Sequence, residues 1–122
     1  MSDRIRALRG AITLDEDTKE EVIERTARLL RTMMERNAVA KSDLVSIIFT
    51  ATGDVRSEFP AAAARSIGIS DVPLLCAREL DVDGAIGMCI RVLMHLYTQK
   101  DAAELRHVYL EGAVPLRTDL PQ

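Results

Sequence analysis

Two arginines stand among apolar neighbours, Arg9 beside Gly10 in "RIRALRGAIT" and Arg91 inside "MCIRVLMHLYT". A guanidinium in an apolar strand must face solvent, pair with an acid, or bind an anion, because an unpaired buried charge is costly. For Arg91 the paired reading names Glu79 or Glu111. A second cluster lies in "LLCARELDV", residues 74–82, where an apolar run ends in Cys76, Arg78, Glu79 and Asp81. On a regular strand Cys76 and Glu79 point to opposite faces, since their spacing is odd. They meet one ligand only if the strand ends or bends between them; otherwise the strand simply runs out into solvent. Tyr109 and Arg117 share one face of the alternating segment "HVYLEGAVPLR", which is either a solvated face or a ligand wall. Of the 16 basic residues all but Lys19, Lys41 and Lys100 are arginine, the side chain best suited to planar, bidentate recognition of carboxylates.

Other chemistries lack their residue patterns. His95 and His107 have no metal-ligand spacing. Cys76 and Cys89 form no CxxC pair, and a buried cysteine more often acts as a small hydrophobe than as a nucleophile. GxSxG, P-loop and GxGxxG motifs are absent. No metal and no cofactor is therefore expected.

The elements that must position these residues can be read from periodicity. "RIRALRGAIT" suits a first strand. "LDEDTKEEVIERTARLLRTMMERN" is the clearest helix, with Asp15 as the expected N-cap and acids in the first turn. Its stripes are Val22, Thr26, Leu29, Met33 and Ile23, Ala27, Leu30, Met34, a helical period. "KSDLVSIIFTAT" reads as a buried strand and "GDVRSE" as a loop. "FPAAAARSIG" reads as a short helix with Pro60 in its first turn and Gly68 past its end. "VPLLC" is a third strand, broken by "DVDG". Alternation makes "MCIRVLMHLYT" a strand, with Ile90, Val92, Met94 and Leu96 on one side. "HVYLEGAVPLR" alternates again and is expected to pair antiparallel with it. The order strand, helix, strand, helix, strand, strand, strand predicts an α+β domain: a mixed β-sheet with helices on one face. The other face needs a cover, and in an oligomer a neighbouring subunit can supply one.

The chain of 122 residues fits a single domain, 1–122, with a tail from about 118 expected to be mobile. It is 48% hydrophobic and 29% charged, with two Phe, two Tyr and no Trp. A base-stacking platform is unexpected with so few rings. The net charge of −3 argues against broad binding to nucleic acid or to an anionic membrane. "MSDRIRALRG" lacks the apolar core of a signal peptide, and no apolar run is long enough to span a bilayer. A reducing cytoplasm is the expected location.

Together, "RALRGAIT", "IIFTATGDVRSEFPAAAAR", "VPLLCARELDV", "CIRVLM" and "LRHVYLEGAVPLRTDL" resemble the monofunctional chorismate mutases of the AroH class, in order and at matching spacing, from about Arg6 to Leu120. The resemblance implies an isomerase that converts chorismate to prephenate, a Claisen rearrangement in Phe and Tyr biosynthesis. It also implies a homotrimer with a barrel-like core and active sites at the subunit interfaces. Arg91 matches the arginine that hydrogen-bonds the ether oxygen of the breaking bond. Arg9 matches the arginine that binds substrate carboxylate, with Tyr109 in support. Glu79 and Cys76 match the groups that hold the ring hydroxyl. Phe59, Ala61 and Arg65 match pocket-wall and entrance positions. Leu116 and Arg117 match the C-terminal segment that closes over the ligand.

The sequence departs from this pattern in three places. Ala62 replaces a familiar lysine at the entrance, Leu75 replaces a familiar threonine, and the loop at Gly68 to Asp71 is about one residue short. The expected consequence is activity with an altered Michaelis constant. The competing reading is a non-enzymatic trimeric α+β module that binds an anionic metabolite through the same arginines, although simple dicarboxylate binding would not require Glu79.

Overall fold

A computed structural model describes residues 3–116. The chain runs β1 (Arg4–Thr13), α1 (Lys19–Arg36), β2 (Leu44–Ala51), α2 (Ala61–Ser66), β3 (Leu74–Arg78), β4 (Cys89–Thr98) and β5 (Val108–Leu110), with a 3-10 segment, Glu111–Leu116, following β5. The strands form one mixed five-stranded sheet in the order β3-β2-β4-β1-β5. β4 is antiparallel to both β1 and β2. The outer strands β3 and β5 are parallel to β2 and β1. The expected α+β domain with a mixed sheet is what forms.

Strand alternation explains the layering. Ile90, Val92, Met94 and Leu96 of β4 are buried. They join Leu8 and Ile12 of β1, Ile47 and Phe49 of β2, and Val22, Leu29, Leu30 and Met33 of α1 in one core. Both stripes read from the α1 sequence thus lie on or beside the core. A side chain at Gly10 would come within 2.5 Å of the Met33 sulfur and 3.1 Å of Leu29. Glycine there lets α1 lie close against β1. The opposite sheet face carries Arg9, Leu93, Arg91, Thr50 and Ile48; among the described residues no α-helix covers it, and the 3-10 segment packs only over its Ala11 and Cys89 end.

Two expectations need correction. The helix begins at Lys19, with Thr18 rather than Asp15 as its N-cap: the Glu21 backbone N–H donates to Thr18 Oγ1 at 3.1 Å. Thr18 and Glu21 have capping-box spacing. Here, however, the Glu21 carboxylate turns back to accept the Asp15 and Glu16 N–H groups. Asp15 itself accepts a hydrogen bond from Arg25 at 2.8 Å.

The second correction concerns β5. It does not pair with β4, because β1 and β2 already occupy both edges of β4. The chain does reverse after β4, but it lands beyond β1 and runs parallel to it. The strand is also only three residues long. Glu111 has a φ of +55°, which ends the extended run and starts the 3-10 segment. The alternation of residues 111–116 is therefore not that of a strand.

Candidate active site

Register places four residues in one row across the sheet. Thr50 of β2 lies opposite Arg91 of β4, Arg91 opposite Ala11 of β1, and Ala11 opposite Tyr109 of β5. All four share the face without α-helices. Ala11, small and buried, leaves a floor between Arg91 and Tyr109. Arg9, two residues earlier on β1, shares that face. Leu116 at the end of the 3-10 segment supplies a wall. The resulting hollow has a volume of about 500 Å³.

Glu79 enters this hollow from just past the end of β3. Its N–H is tied to the Ala51 carbonyl at 3.0 Å. One carboxylate oxygen accepts from Thr50 Oγ1 at 3.0 Å, and the other from the Leu80 N–H at 3.0 Å. The first of these oxygens stands 3.4 Å from Arg91 Nε. Arg91 Nε is nevertheless buried without a hydrogen-bond partner among the described residues: the charges are adjacent, but the N–H is not aimed at the carboxylate. The Arg91 side chain keeps 41% of its exposure and Glu79 25%. Arg91 thus has a charge-compensating neighbour and still holds donor capacity toward the hollow. Of the readings open for Arg91, pairing with Glu79 holds and pairing with Glu111 does not.

Beneath Arg9, its backbone N–H donates to His107 Nδ1 at 2.9 Å. A neutral imidazole accepting at Nδ1 carries its proton on Nε2. His107 is only 5% exposed, and burial, with the Arg9 charge adding to it, pushes its pKa below the ordinary value. Folding therefore favours the neutral ring, and the unfolded chain binds the extra proton as pH falls. The stability contributed by neutral His107 is complete above about pH 6.5 and is lost as pH falls through the folded-state value. Thermal unfolding followed from about pH 8 to about pH 5 is expected to show a steeper loss for wild type than for His107→Asn, whose amide oxygen can accept the same N–H without titrating. Parallel curves would contradict this role.

The remaining sequence-predicted residues lie elsewhere. Parity holds through β3, so Cys76 points away from Glu79, toward Phe49 and the core. Cys76 and Phe59 line a second hollow of about 360 Å³ with Val55, Ser57, Pro60 and Arg78. Phe59 is 67% exposed. Ala61 is buried in α2, and Arg65 is exposed on the same helix without lining either hollow. Leu75, 61% exposed, faces the open side next to Ile48. Arg117 lies outside the described residues. Arg78 is structural, donating to the carbonyls of Thr52 and Val55.

Among the cysteines, burial pushes the Cys89 thiol up while Arg91 opposes the shift, so Cys89 is an inert thiol. Among the described residues no group of three or more His, Cys, Asp or Glu is placed to hold a metal. Residue pattern alone missed Thr50 and the contact of His107. Thr50 was legible only through its register with Arg91, and His107 only through the β1–β5 pairing.

A hollow with two arginines, a tyrosine and an anchored carboxylate fits a small, multiply charged anion that also carries a hydroxyl. Comparison with known proteins gives the chain's family. Residues 5–120 match the family model for chorismate mutase type I. The chain is 43% identical over 117 residues to chorismate mutase AroH of Bacillus subtilis, covering 95% of this chain and 92% of that one. It is 48% identical over 117 residues to chorismate mutase AroH of Thermus thermophilus, covering 95% and 96%. Among solved structures, a chorismate mutase from Clostridium thermocellum aligns with a TM-score of 0.87 at 45% identity, over 88% of this chain and 96% of that one. The chain belongs to the chorismate mutase type I family.

Proposed function

We propose that this protein is an isomerase converting chorismate to prephenate in aromatic amino-acid biosynthesis, and that it does so by restraint and electrostatics alone. The observation that carries the mechanism is the Arg91 guanidinium, held on a central strand beside Glu79 yet with its buried Nε unbonded. The rearrangement is unimolecular: a C–O bond breaks as a C–C bond forms, and negative charge grows on the ether oxygen. A fixed cation there stabilises the transition state more than the ground state. Arg9 and Tyr109 hold a substrate carboxylate, and Glu79, oriented by Thr50 and the Leu80 N–H, accepts from the ring hydroxyl. Held at these points, the flexible substrate is confined to its compact reactive shape. No nucleophile, metal or cofactor is needed for that chemistry.

The two hollows of one chain are read as halves of one site. In a homotrimer whose open sheet faces meet in a barrel-like core, the hollow of Arg9, Glu79, Arg91 and Tyr109 faces a neighbour's Phe59 and Cys76. The half-buried apolar residues Ile48 and Leu93 and the exposed Ile5, Leu75 and Tyr97 support covering that face. Arg65 then stands at the entrance, Ala61 packs behind the wall, and Leu116 walls the ligand. The whole chain acts as one catalytic domain. Among the described residues no helix is long and apolar enough to cross a membrane, and the free thiols Cys76 and Cys89 suit a reducing cytoplasm.

The test is incubation of EDTA-treated protein with chorismate: stoichiometric prephenate is expected, and chorismate left intact at catalytic protein concentrations would sink the reading.

A further inference from the structure

Glu111 sits at a costly place in the backbone. Its φ of +55° lies in the left-handed region that favours glycine, and a glycine is available one position later. Strain retained at a non-glycine residue points to a use for its side chain. That side chain reaches α1: Arg28 Nη2 donates to Glu111 Oε2 at 2.5 Å, and Arg25 Nη1 stands 3.9 Å from Oε1. Arg25 is itself fixed, 13% exposed, donating at 2.8 Å to the Thr13 carbonyl and at 2.8 Å to Asp15. The Arg28 hydrogen bond, with the Arg25 charge behind it, lowers the Glu111 pKa and so keeps the carboxylate ionised.

The next residue is pinned as well. The Gly112 N–H donates to Thr13 Oγ1 at 2.8 Å, and a side chain at Gly112 would come within 2.7 Å of that oxygen. Ala113 is fully buried. Between Tyr109 and Leu116, both at the Arg91 hollow, the chain is thus fastened to α1 and to the end of β1. Neither Glu111 nor Arg28 lines that hollow.

We infer that Glu111, clamped by Arg28 and Arg25, is a positioning residue that sets Tyr109 and the Leu116 wall against the substrate. This inference rests on the chorismate mutase reading of the hollow. Because the clamp acts on binding walls and not on the Arg91 cation, its loss weakens substrate and transition state alike.

Glu111→Gly removes the carboxylate while relieving the backbone. It is expected to raise KM for chorismate about tenfold and to leave kcat within about threefold, the pattern of lost uniform binding. Arg28→Gln is expected to raise KM by a smaller factor, since Arg25 remains. The double variant Arg28→Gln with Glu111→Gly should be no worse than Glu111→Gly alone, because both changes break one clamp. A KM within about twofold of wild type in folded Glu111→Gly would overturn the inference, as would effects of the two changes that multiply. If Glu111→Gly fails to fold, Arg28→Gln decides: an unchanged KM overturns the clamp. A wild-type protein that does not turn over chorismate would overturn the proposed function instead.

Discussion

Arg91→Ala is expected to lower kcat for chorismate at least about a hundredfold in a protein of unchanged size and secondary structure. A millionfold acceleration corresponds to about 8 kcal/mol of transition-state stabilisation. One preorganised charge-assisted donor accounts for about 3 to 4 kcal/mol in comparable sites. Arg91 lies on β4, the middle strand of the sheet, flanked by Thr50 and Ala11, so its guanidinium starts from a fixed backbone. Its removal leaves Glu79 held by Thr50 and the Leu80 N–H, and the side chain is partly solvated. Folding should therefore survive. Stopped or steady-state kinetics on a variant verified by circular dichroism checks this; activity within a few-fold of wild type would remove Arg91 from the mechanism.

The second large effect concerns the far hollow. Phe59→Glu places a carboxylate where the neighbouring subunit's substrate, a dianion, is proposed to sit. Because Phe59 is 67% exposed in the single chain, the change should cost little monomer stability. Like-charge repulsion in a desolvated pocket is expected to reduce kcat/KM at least about a hundredfold. A sharper consequence follows from shared sites. If Arg91→Ala and Phe59→Glu chains are unfolded together and refolded as a mixture, some interfaces will join an intact Arg91 hollow to an intact Phe59 wall. Activity should then exceed that of either variant refolded alone. No recovery in mixed assemblies would mean that each chain builds its site from its own residues.

Much of this was legible in the sequence where local periodicity decides structure. The stripes of α1 and the buried alternation of Ile90, Val92, Met94 and Leu96 are set by burial against one core, and that core forms. Arg91 and Arg9 stand out because a cation within an apolar run needs a reason. Long-range pairing was less legible. Nothing local to "HVYLEGAVPLR" reveals that both edges of β4 are taken, so alternation alone gives β5 the wrong neighbour. Nor does local pattern announce that Glu111 will adopt positive φ and end the strand. The contacts of Thr50 with Glu79 and of His107 with Arg9 join residues 29 and 98 positions apart; they exist only once the sheet order is known. The separation of Cys76 from Glu79 was the exception, since strand parity alone forecasts it.

The most direct test of the central claim is to mix purified wild-type protein with chorismate, follow the loss of its ultraviolet absorbance, and identify the product by chromatography beside an Arg91→Ala control. Prephenate formed by the wild type, with the control slowed at least about a hundredfold, is the predicted result. Chorismate that binds but persists would contradict it, and would leave a metabolite-binding module built on the same arginines.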